Sequence, residues 1–330
     1  MQKVLLVCNV NQDIGIGHLS RLLALANTLK KDNRVIPEFL IFGNLIKKDE
    51  LENYKIHNFS LDSDFILIIN KILRSNKFDL LVFDIIQNYN TSNLRELFLK
   101  LKQQNIRIVS IDALIEFCDI LDLIWVPSFN FDISKHSRCK SLLKSGWDSY
   151  LIQKHFKGKK WSPGSRVLVL TGGSDITNLG NYLPSQIDQI LDKNSEIHWV
   201  RGPLSKKPKI PKKRRLCWFI HDAPQQLDEL IIQSNYVISV FGISFFEALQ
   251  YGIPTVVFSP YKNKDYKDLK ALSKEEVAMV INNPKLVVDG LLKLMNDNNI
   301  AKKYSINSLK KMSINGTRNL SKNISRLINA

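Results

Sequence analysis

The hydrophobic and polar positions of the chain alternate between short apolar runs and longer amphipathic stretches. In the first half, the apolar runs predict buried parallel strands, and these lie at 4–8, 38–42, 80–84, 107–111 and 123–126. Apolar residues recur at helical spacing between them, most clearly over 19–30 and 94–104. Such alternation of strand and helix predicts a parallel sheet with right-handed crossovers.

The pattern restarts after a polar stretch with glycine and proline at 158–165, which is typical of a linker. Further strands are predicted at 166–170, 197–200, 216–219, 236–240, 255–258 and 277–281. Helices are predicted to end at 190, to cover 245–250, and to form a basic amphipathic segment from 302. The sequence therefore predicts an α/β protein with an N-terminal domain (1–157), a linker (158–165), a C-terminal domain (166–312) and a surface helix (313–330).

Composition supports this interpretation and restricts the compartment. The 330 residues suffice for two domains, and 44% hydrophobic content supports buried cores. The four cysteines are scattered, which predicts reduced core residues rather than a disulfide framework or metal site; they are Cys8, Cys118, Cys139 and Cys217. The first strand begins at the N-terminus and no apolar stretch approaches the ~20 residues of a membrane span, so we expect a cytoplasmic protein.

The net charge of +16 admits nucleic acid, an anionic membrane face or a phosphorylated substrate as partner. The densest basic run is 206–215, where Pro208 and Pro211 favour an extended loop over a recognition helix. This loop is either a solvated surface or a contact with anionic lipid headgroups, worth up to about 1 kcal/mol per basic residue. The second interpretation would put the protein peripherally at the inner membrane face. No recognised nucleic-acid module is present, so we expect no nucleic-acid partner.

The first strand-to-helix turn holds Gly15, Gly17 and His18. Ligands bind at such turns in open α/β sheets, helix N-termini attract anions, and histidine moves protons near neutral pH. The alternative for His18 is a helix cap with a solvent-exposed imidazole. Leu19 and Ser20 stand where a dinucleotide fingerprint needs its third glycine, so no nicotinamide cofactor is expected.

Asp84 and Asp112 each end an apolar strand, where side chains face the ligand crevice. Either could orient a substrate or tune His18, and the alternative is N-capping of the next helix. The sequence shows no Asp-x-Asp pair or histidine cluster, so no metal site is expected.

In the second half, Gly172 and Gly173 follow a strand and permit close approach of a ligand to the backbone. Ser174 or the next residue, Asp175, could also cap a helix there. Ser244 and Glu247 fit a capping box, which needs no ligand. Gly242 could instead leave amides free for a diphosphate, with Glu247 accepting hydrogen bonds from ribose hydroxyls. Spacing leaves both interpretations open.

Together these motifs resemble GT-B-type nucleotide-sugar enzymes over nearly the whole chain. Within that group the chain resembles the pseudaminic-acid pathway UDP-sugar hydrolase and the related spore-coat polysaccharide proteins. The matching motifs, in order, are Gly15-x-Gly-His-Leu-Ser-Arg21, Asp79 to Asp84, Ser110-Ile-Asp112 with Asp122 to Pro127, Leu170 to Asp175 with Asn178, Ser239-x-x-Gly-x-Ser-x-x-Glu247, and Tyr251-Gly-Ile-Pro254 with Asn263.

The resemblance implies two facing α/β domains with UDP in the cleft, held mainly by the second domain. His18 would be the base that activates an acceptor at the anomeric carbon, and Asn263 would lie near the sugar or the attacking water. The other implied contacts are Gly15, Gly17, Arg21, Asp84 and Asp112 on the substrate side, and Gly172, Gly173, Ser174, Gly242, Ser244 and Glu247 on the nucleotide side. No metal or cofactor is implied.

The chain also departs from the hydrolase pattern. Before the glycine loop, where the hydrolase usually has Arg-x-Asp, the chain has Cys8 to Asn11. The tyrosine that usually comes shortly after the middle-strand aspartate is replaced by Ile85 and Ile86, and the next tyrosine is Tyr89. Ala113 stands where a second aspartate is usual, and Lys264 stands where glutamine is common.

Two functions remain open. One is a UDP-sugar hydrolase that makes an amino-sugar precursor of a nonulosonic acid, which the order of motifs favours. The other is an inverting glycosyltransferase acting on a glycan or lipid-linked hydroxyl, which the basic surface favours. His18 and Glu247 together argue against a third hypothesis, a non-catalytic binding protein.

Overall fold

The structure is a computed structural model that describes residues 1–11, 15–33, 35–44, 46, 48–86, 90–139, 142–158, 160–259, 261 and 264–329. The chain divides into two compact units. The first comprises Met1–Ile152 and Ile314–Ala330, and the second comprises Gln153–Ser313.

The first unit contains a parallel sheet in the order β3-β2-β1-β4-β5-β6-β7. Its strands are β1 (Lys3–Val10), β2 (Ile36–Gly43), β3 (Lys55–Phe59), β4 (Leu80–Asp84), β5 (Arg107–Ile111), β6 (Leu123–Val126) and β7 (Leu143–Ser145). Its helices before the second unit are α1 (Gly17–Asn33), α2 (Phe65–Ser75) and α3 (Thr91–Gln103).

The second unit contains a parallel sheet in the order β10-β9-β8-β11-β12-β13. Its strands are β8 (Arg166–Leu170), β9 (Glu196–Arg201), β10 (Cys217–Asp222), β11 (Tyr236–Val240), β12 (Thr255–Phe258) and β13 (Met279–Val280). Its helices are α4 (Leu183–Ile190), α5 (Leu227–Gln233), α6 (Ile243–Leu249), α7 (Tyr266–Glu275), α8 (Val287–Asn296) and α9 (Asn298–Lys311). The predicted α/β class, with two parallel-sheet domains, is confirmed.

The last helix, α10 (Gly316–Asn329), returns to the first unit. Its side chains Leu320 and Ile324 are fully buried in the core that lies between the first sheet and α1. Thr317 Oγ1 also donates to the carbonyl of Ile152 at 3.1 Å. This amphipathic helix therefore completes a core, where the sequence suggested a helix added to the surface.

The observed division of the chain falls at Ile152, earlier than the predicted boundary at 157. Hydrogen bonds explain the difference, because the segment after Ile152 is bound to the second unit. Lys154 Nζ donates to the carbonyl of Gln250 at 3.2 Å, and the amide of His155 donates to Asp228 at 3.2 Å.

The strand alternation decides which side chains of the first sheet meet α1. Val4, Leu6 and Cys8 of β1 lie on the side of α1, whereas Leu5 and Val7 belong to the core on the opposite face. In β4, Leu80 and Val82 share the α1 side, and Phe83 faces away. Side chains alternate along a strand, so Asp84 points toward the start of α1.

The cysteines differ from the prediction. Cys118 and Cys139 form a disulfide with a Cα–Cα distance of 5.5 Å, because the turn after β5 and the segment before β7 meet there. The prediction of four reduced core cysteines is wrong for this pair. It is also wrong for the position of Cys217, which is free but exposed, whereas Cys8 is free and buried.

Candidate functional site

The first sheet has its topological switch point between β1 and β4. The chain leaves β1 toward β2 on one side and leaves β4 toward β5 on the other. Loops at the carboxyl ends of such strands separate and leave a crevice for a ligand. His18, the second residue of α1, and Asp84, the last residue of β4, both lie at this point.

His18 and Asp84 form the central contact of the site. The imidazole Nδ1 lies 2.5 Å from Oδ1 of Asp84, which is fully buried, while the His18 side chain keeps 17% of its surface exposed. A carboxylate accepts hydrogen bonds, so Nδ1 carries a proton, and in the neutral ring Nε2 is the acceptor. This excludes the alternative of a solvent-exposed capping imidazole.

Arg21 lies one helical turn after His18 and binds the same carboxylate. Its Nε donates to Oδ2 at 3.0 Å and its Nη2 donates to Oδ1 at 2.6 Å. Burial by itself would raise the pKa of Asp84, but the charge of Arg21 and the hydrogen bonds from His18 and Arg21 outweigh it and hold that pKa below its usual value. For Arg21, burial acts to lower the pKa, and the carboxylates of Asp84 and Asp112 raise it above its ordinary value. Asp84 is therefore a buried, ionised partner of the imidazole.

Asp112 completes the group from the end of β5. Its Oδ2 accepts from Nη1 of Arg21 at 3.1 Å, and its side chain is 48% exposed. Its φ of +69° is in the left-handed region, which costs a non-glycine residue energy. N-capping is excluded for both aspartates, because Asn90 caps α3 and Leu114 precedes the 3-10 turn Ile115–Phe117.

The two glycines of the first strand-to-helix turn have different structural roles. Gly15 adopts a φ of +78° and donates its amide to the carbonyl of Asn11 at 2.8 Å, so glycine suits this turn. Gly17 begins α1. A Cβ at either position would meet no described atom within 4 Å. The described residues therefore leave room for a ligand beside both glycines.

The second sheet has its switch point between β8 and β11, which are adjacent and parallel. Gly172 follows β8 with a φ of +82°, and a Cβ there would lie 3.5 Å from a methyl of Val240 at the end of β11. The predicted nucleotide-side turns after β8 and after β11 are thus neighbours at one edge of one sheet. Gly173 and the buried Ser174 continue the first of these turns.

Asp175 binds amides at the start of a 3-10 turn, but it is not the N-cap residue of a helix. Its carboxylate accepts from the amides of Leu179 and Gly180, both at 2.9 Å. It thereby satisfies the first two amides of the 3-10 turn Leu179–Asn181, whose N-cap residue is Asn178, and it does not cap α4, which begins at Leu183. Burial raises the pKa of Asp175, and the two amides oppose that effect.

Gly242 is the residue before α6, and its backbone is extended. Ser244 lies inside the helix and is not its cap, so the capping-box interpretation is wrong. Glu247 follows one turn later, partly exposed. A Cβ at Gly242 would meet no described atom within 4 Å, so the start of α6 is open on this side.

Sequence reasoning did not identify Gly202, which follows β9. A Cβ there would lie 2.4 Å from the carbonyl oxygens of both Gly172 and Gly173. The amide of Leu204 also donates to the carbonyl of Gly173 at 3.0 Å. The segment after β9 therefore supports the glycine turn from behind. Arg201-Gly202-Pro203 at a strand end was a usable signal.

Asn263 and Tyr89 lie outside the described residues, so the predicted role of Asn263 stays a prediction. In the described residues that flank it in the sequence, Ser259 Oγ donates to Asp265 at 2.5 Å, and the ammonium of Lys264 lies 4.7 Å from the ring centroid of Tyr261.

Among the residues that the structure describes, no group of three or more His, Cys, Asp or Glu side chains could hold a metal ion. Within the same ranges, no helix is both long and apolar enough to cross a membrane.

No protein-family profile matches the chain. One curated relative, the uncharacterized protein MJ1062 of Methanocaldococcus jannaschii, is 24% identical over 306 residues. That alignment covers 82% of this chain but 59% of the relative, so the chain spans little more than half of that protein's length.

Among solved structures, MurG of Acinetobacter baumannii is similar with a TM-score of 0.66 and 13% identity, over 99% of this chain and 100% of MurG. The spinosyn rhamnosyltransferase SpnG complexed with thymidine diphosphate gives a TM-score of 0.63 at 12% identity, covering 98% and 100%. The S. aureus MnaA–UDP structure gives 0.60 at 13% identity, covering 98% and 95%. These likenesses show that the chain has the GT-B fold.

Proposed function

We propose that the chain is an enzyme that breaks the anomeric C–O bond of a nucleotide-activated sugar and releases the nucleoside diphosphate. The observation that supports this most directly is the 2.5 Å contact between His18 Nδ1 and the buried carboxylate of Asp84. A histidine oriented by an ionised carboxylate is a general base suited to neutral pH. The GT-B fold supports the same class of substrate.

In the proposed step, the acceptor hydroxyl gives its proton to Nε2 of His18, and its oxygen forms the new bond to C1 of the sugar. The bond between C1 and the diphosphate oxygen breaks, and its electron pair leaves with the diphosphate. Attack from the opposite side inverts C1. Asp84 stabilises the imidazolium that forms, and Arg21 keeps Asp84 ionised.

The second unit is proposed to bind the nucleotide. Backbone amides at Gly242 and Ser244, at the start of α6, would contact the diphosphate together with Gly172, Gly173 and Ser174. Glu247 would accept hydrogen bonds from the ribose hydroxyls. The open space beside Gly242 and the adjacency of the two turns support this assignment. Gly15, Gly17 and Asp112 would contact the sugar or its acceptor, and Asn263 is proposed for the same side.

Uridine is proposed as the base because of the resemblance to UDP-sugar enzymes. The named ligands of the similar structures are UDP for MnaA and thymidine diphosphate for SpnG. Both bases are pyrimidines, so the first test uses UDP-sugars and TDP-sugars side by side.

Two acceptors are proposed, and the observations that favour them differ. The name of SpnG as a rhamnosyltransferase favours transfer to a hydroxyl of a glycan or a lipid-linked sugar. The order of motifs favours water, which would make the protein a hydrolase in the synthesis of a nonulosonic acid. Transfer is the function that the comparisons favour, and hydrolysis is the second candidate.

The deciding experiment measures release of UDP or TDP from a panel of nucleotide sugars, with and without added glycan or lipid-linked acceptors. Release that needs an acceptor supports the transferase, and fast release into water alone supports the hydrolase. Tight UDP binding without release from any donor would contradict both.

His18→Ala should abolish turnover while leaving UDP affinity intact, because the base is proposed to act on the acceptor. His57→Ala is the matched control. His57 also pairs with a buried carboxylate, Glu38 at 3.0 Å, but it lies on β3, two strands away from β1. Equal loss of turnover in both variants would contradict the role of His18.

A further inference from the structure

The connection between β9 and β10 is a loop where a doubly wound fold would ordinarily have a helix. It contains seven basic residues between Lys206 and Arg215, and no acidic residue occurs from 202 to 221. All seven basic residues are exposed. The loop therefore places a dense positive charge on one side of the second unit.

The loop is held in place at both ends. Near its start, the amide of Lys209 donates to the carbonyl of Gly180 at 2.7 Å. At its end, the amide of Arg215 donates to the carboxylate of Asp188 at 3.0 Å, and its Nη1 donates to the carbonyl of Gln189 at 2.7 Å. Ile210 packs against the core between these points. The basic side chains thus project from an ordered backbone, which lowers the entropy cost of binding a surface.

Apolar side chains are exposed beside this charge. The loop leads into β10, the edge strand of the sheet, where Phe219 is 46% exposed and Ile220 is 40% exposed. Trp218 between the loop and these residues is buried, and its Nε1 donates to Asp188 at 3.0 Å. The start of the strand is thereby fixed, while the apolar residues in its middle, Phe219 and Ile220, are exposed to solvent.

We propose that the loop 206–215 and the exposed Phe219 and Ile220 of β10 form a docking surface for an anionic lipid membrane. Cationic side chains attract the negative headgroups, and an adjacent aromatic and aliphatic pair can enter the interfacial region. Because the loop is positively charged, we expect it to bind an anionic membrane in preference to a neutral one. The exposed Ile220 favours lipid over nucleic acid, because an aliphatic side chain gains by burial in acyl chains and offers no face for base stacking. The ring of Phe219 already stacks on the ring of His198. The inference is independent of the proposed function.

The test measures partitioning of the full chain onto sedimented vesicles. Vesicles of phosphatidylcholine alone are compared with mixtures of phosphatidylcholine and phosphatidylglycerol, at low and high salt. We expect binding to the mixed vesicles only, weakened by salt because exposed charges are screened. Equal binding to both kinds of vesicle, or no binding to either, would overturn the proposal.

The charge requirement is tested with the triple variant Lys206→Gln, Lys207→Gln, Lys209→Gln. Its vesicle affinity should fall on the order of fivefold for each charge removed. The matched control removes three exposed charges of the first unit, Lys71→Gln, Arg74→Gln and Lys77→Gln, and should change affinity much less. Equal losses in the two variants would mean attraction by net charge alone and would overturn the assignment of the surface.

The apolar requirement is tested with Ile220→Ser, which is exposed and should fold normally. We expect roughly a tenfold loss of vesicle affinity. A duplex DNA added as competitor should displace little protein from the vesicles. Preferential binding to DNA, or an Ile220→Ser protein that binds vesicles as tightly as the parent, would contradict a lipid partner.

Discussion

Arg21 and Asp84 are joined by two parallel hydrogen bonds, Nε to Oδ2 at 3.0 Å and Nη2 to Oδ1 at 2.6 Å. The residues are 63 positions apart, and the first turn of α1 and the end of β4 bring them together. Such a forked pair keeps the carboxylate charged in a buried place. The consequence is that His18 meets a fixed negative charge and keeps its proton on Nδ1.

Replacing Asp84 with asparagine should therefore disable His18 without removing it. An amide NH₂ turned toward Nδ1 favours the tautomer with the proton on Nε2, which cannot accept a proton from the acceptor. We expect turnover to fall on the order of 10² to 10⁴-fold, as for loss of general base catalysis. The measurement is the pH profile of kcat for the variant and the parent.

The same substitution leaves Arg21 buried opposite a neutral group, which should cost stability on the order of 3 kcal/mol. The variant's folding is therefore checked by urea denaturation before its activity is compared. Asp119→Asn is the control, since Asp119 pairs with Arg95 on the surface and its loss should change neither quantity much. An Asp84→Asn protein with the parent's kcat would disprove the role of the pair.

The proposed nucleotide site can be tested at two glycines, Gly242, which has open space beside it, and Gly202, which packs against backbone carbonyls. Gly242→Ala should fold normally, because the added methyl meets open space and the backbone is extended. It should still weaken UDP binding about tenfold if the diphosphate approaches the start of α6. Binding of UDP is measured by calorimetry, and unchanged affinity would contradict the site.

Gly202→Ala should instead lower the stability of the protein, and UDP binding should weaken as a consequence. Its methyl would lie 2.4 Å from the carbonyl oxygens of Gly172 and Gly173, so the backbone must shift. We expect a loss of stability of about 1–3 kcal/mol, as for overpacking, accompanied by weaker UDP binding as the glycine turn moves. Stability unchanged in urea would show that the segment after β9 does not support the turn.

The disulfide between Cys118 and Cys139 closes a loop with a sequence separation of 21 residues. Restricting the unfolded chain by such a loop stabilises the first unit by about 3 kcal/mol. Reduction, or the substitution Cys139→Ala, should lower its free energy of unfolding by that order. Alkylation before and after reduction, read by mass spectrometry, counts the thiols. Four reactive thiols in the unfolded, unreduced protein would show that the bond is absent.

Strands that are buried on both faces could be predicted from the sequence, because each one is a continuous run of apolar residues. The bounds predicted for β4, β5, β6, β8, β11 and β12 agree with the structure. β3 was missed because its polar positions, such as Lys55 and Asn58, interrupt the run, and β7 because it has only three residues. Edge strands are less buried, so the hydrophobic signal that identifies a strand weakens there.

The residues of the candidate site were predictable one at a time, but their contacts were not. His18 and Arg21 lie near the start of a helix, Asp84 ends a strand and Asp112 follows one, and the fold brings these four together. Gly202 escaped notice because its constraint comes from carbonyls of another loop. Ser244 and Glu247 matched a local capping pattern, yet the helix begins earlier because Gly242 ends the extended segment. Local patterns report local geometry, and tertiary contacts decide between them.

His198 on β9 should contribute to the loss of stability in mild acid. Its Nδ1 lies 2.9 Å from Nε2 of His221, and its ring stacks on Phe219. Burial lowers the pKa of His198 to about 4, with help from the charges of Arg166 and His221, and Glu196 opposes the shift. The folded protein therefore keeps this imidazole neutral where the unfolded chain takes up a proton.

Because the folded pKa is below the ordinary value of 6.5, the stabilisation is complete above pH 6.5 and is lost as the pH falls from 6.5 to about 4. We expect the second unit to lose on the order of 1 kcal/mol between pH 7 and pH 5, after allowance for partial solvation. Urea denaturation at the two pH values measures it. His198→Phe keeps the ring stack and cannot titrate, so its loss over the same interval should be smaller. Equal losses in parent and variant would assign the acid sensitivity to other groups.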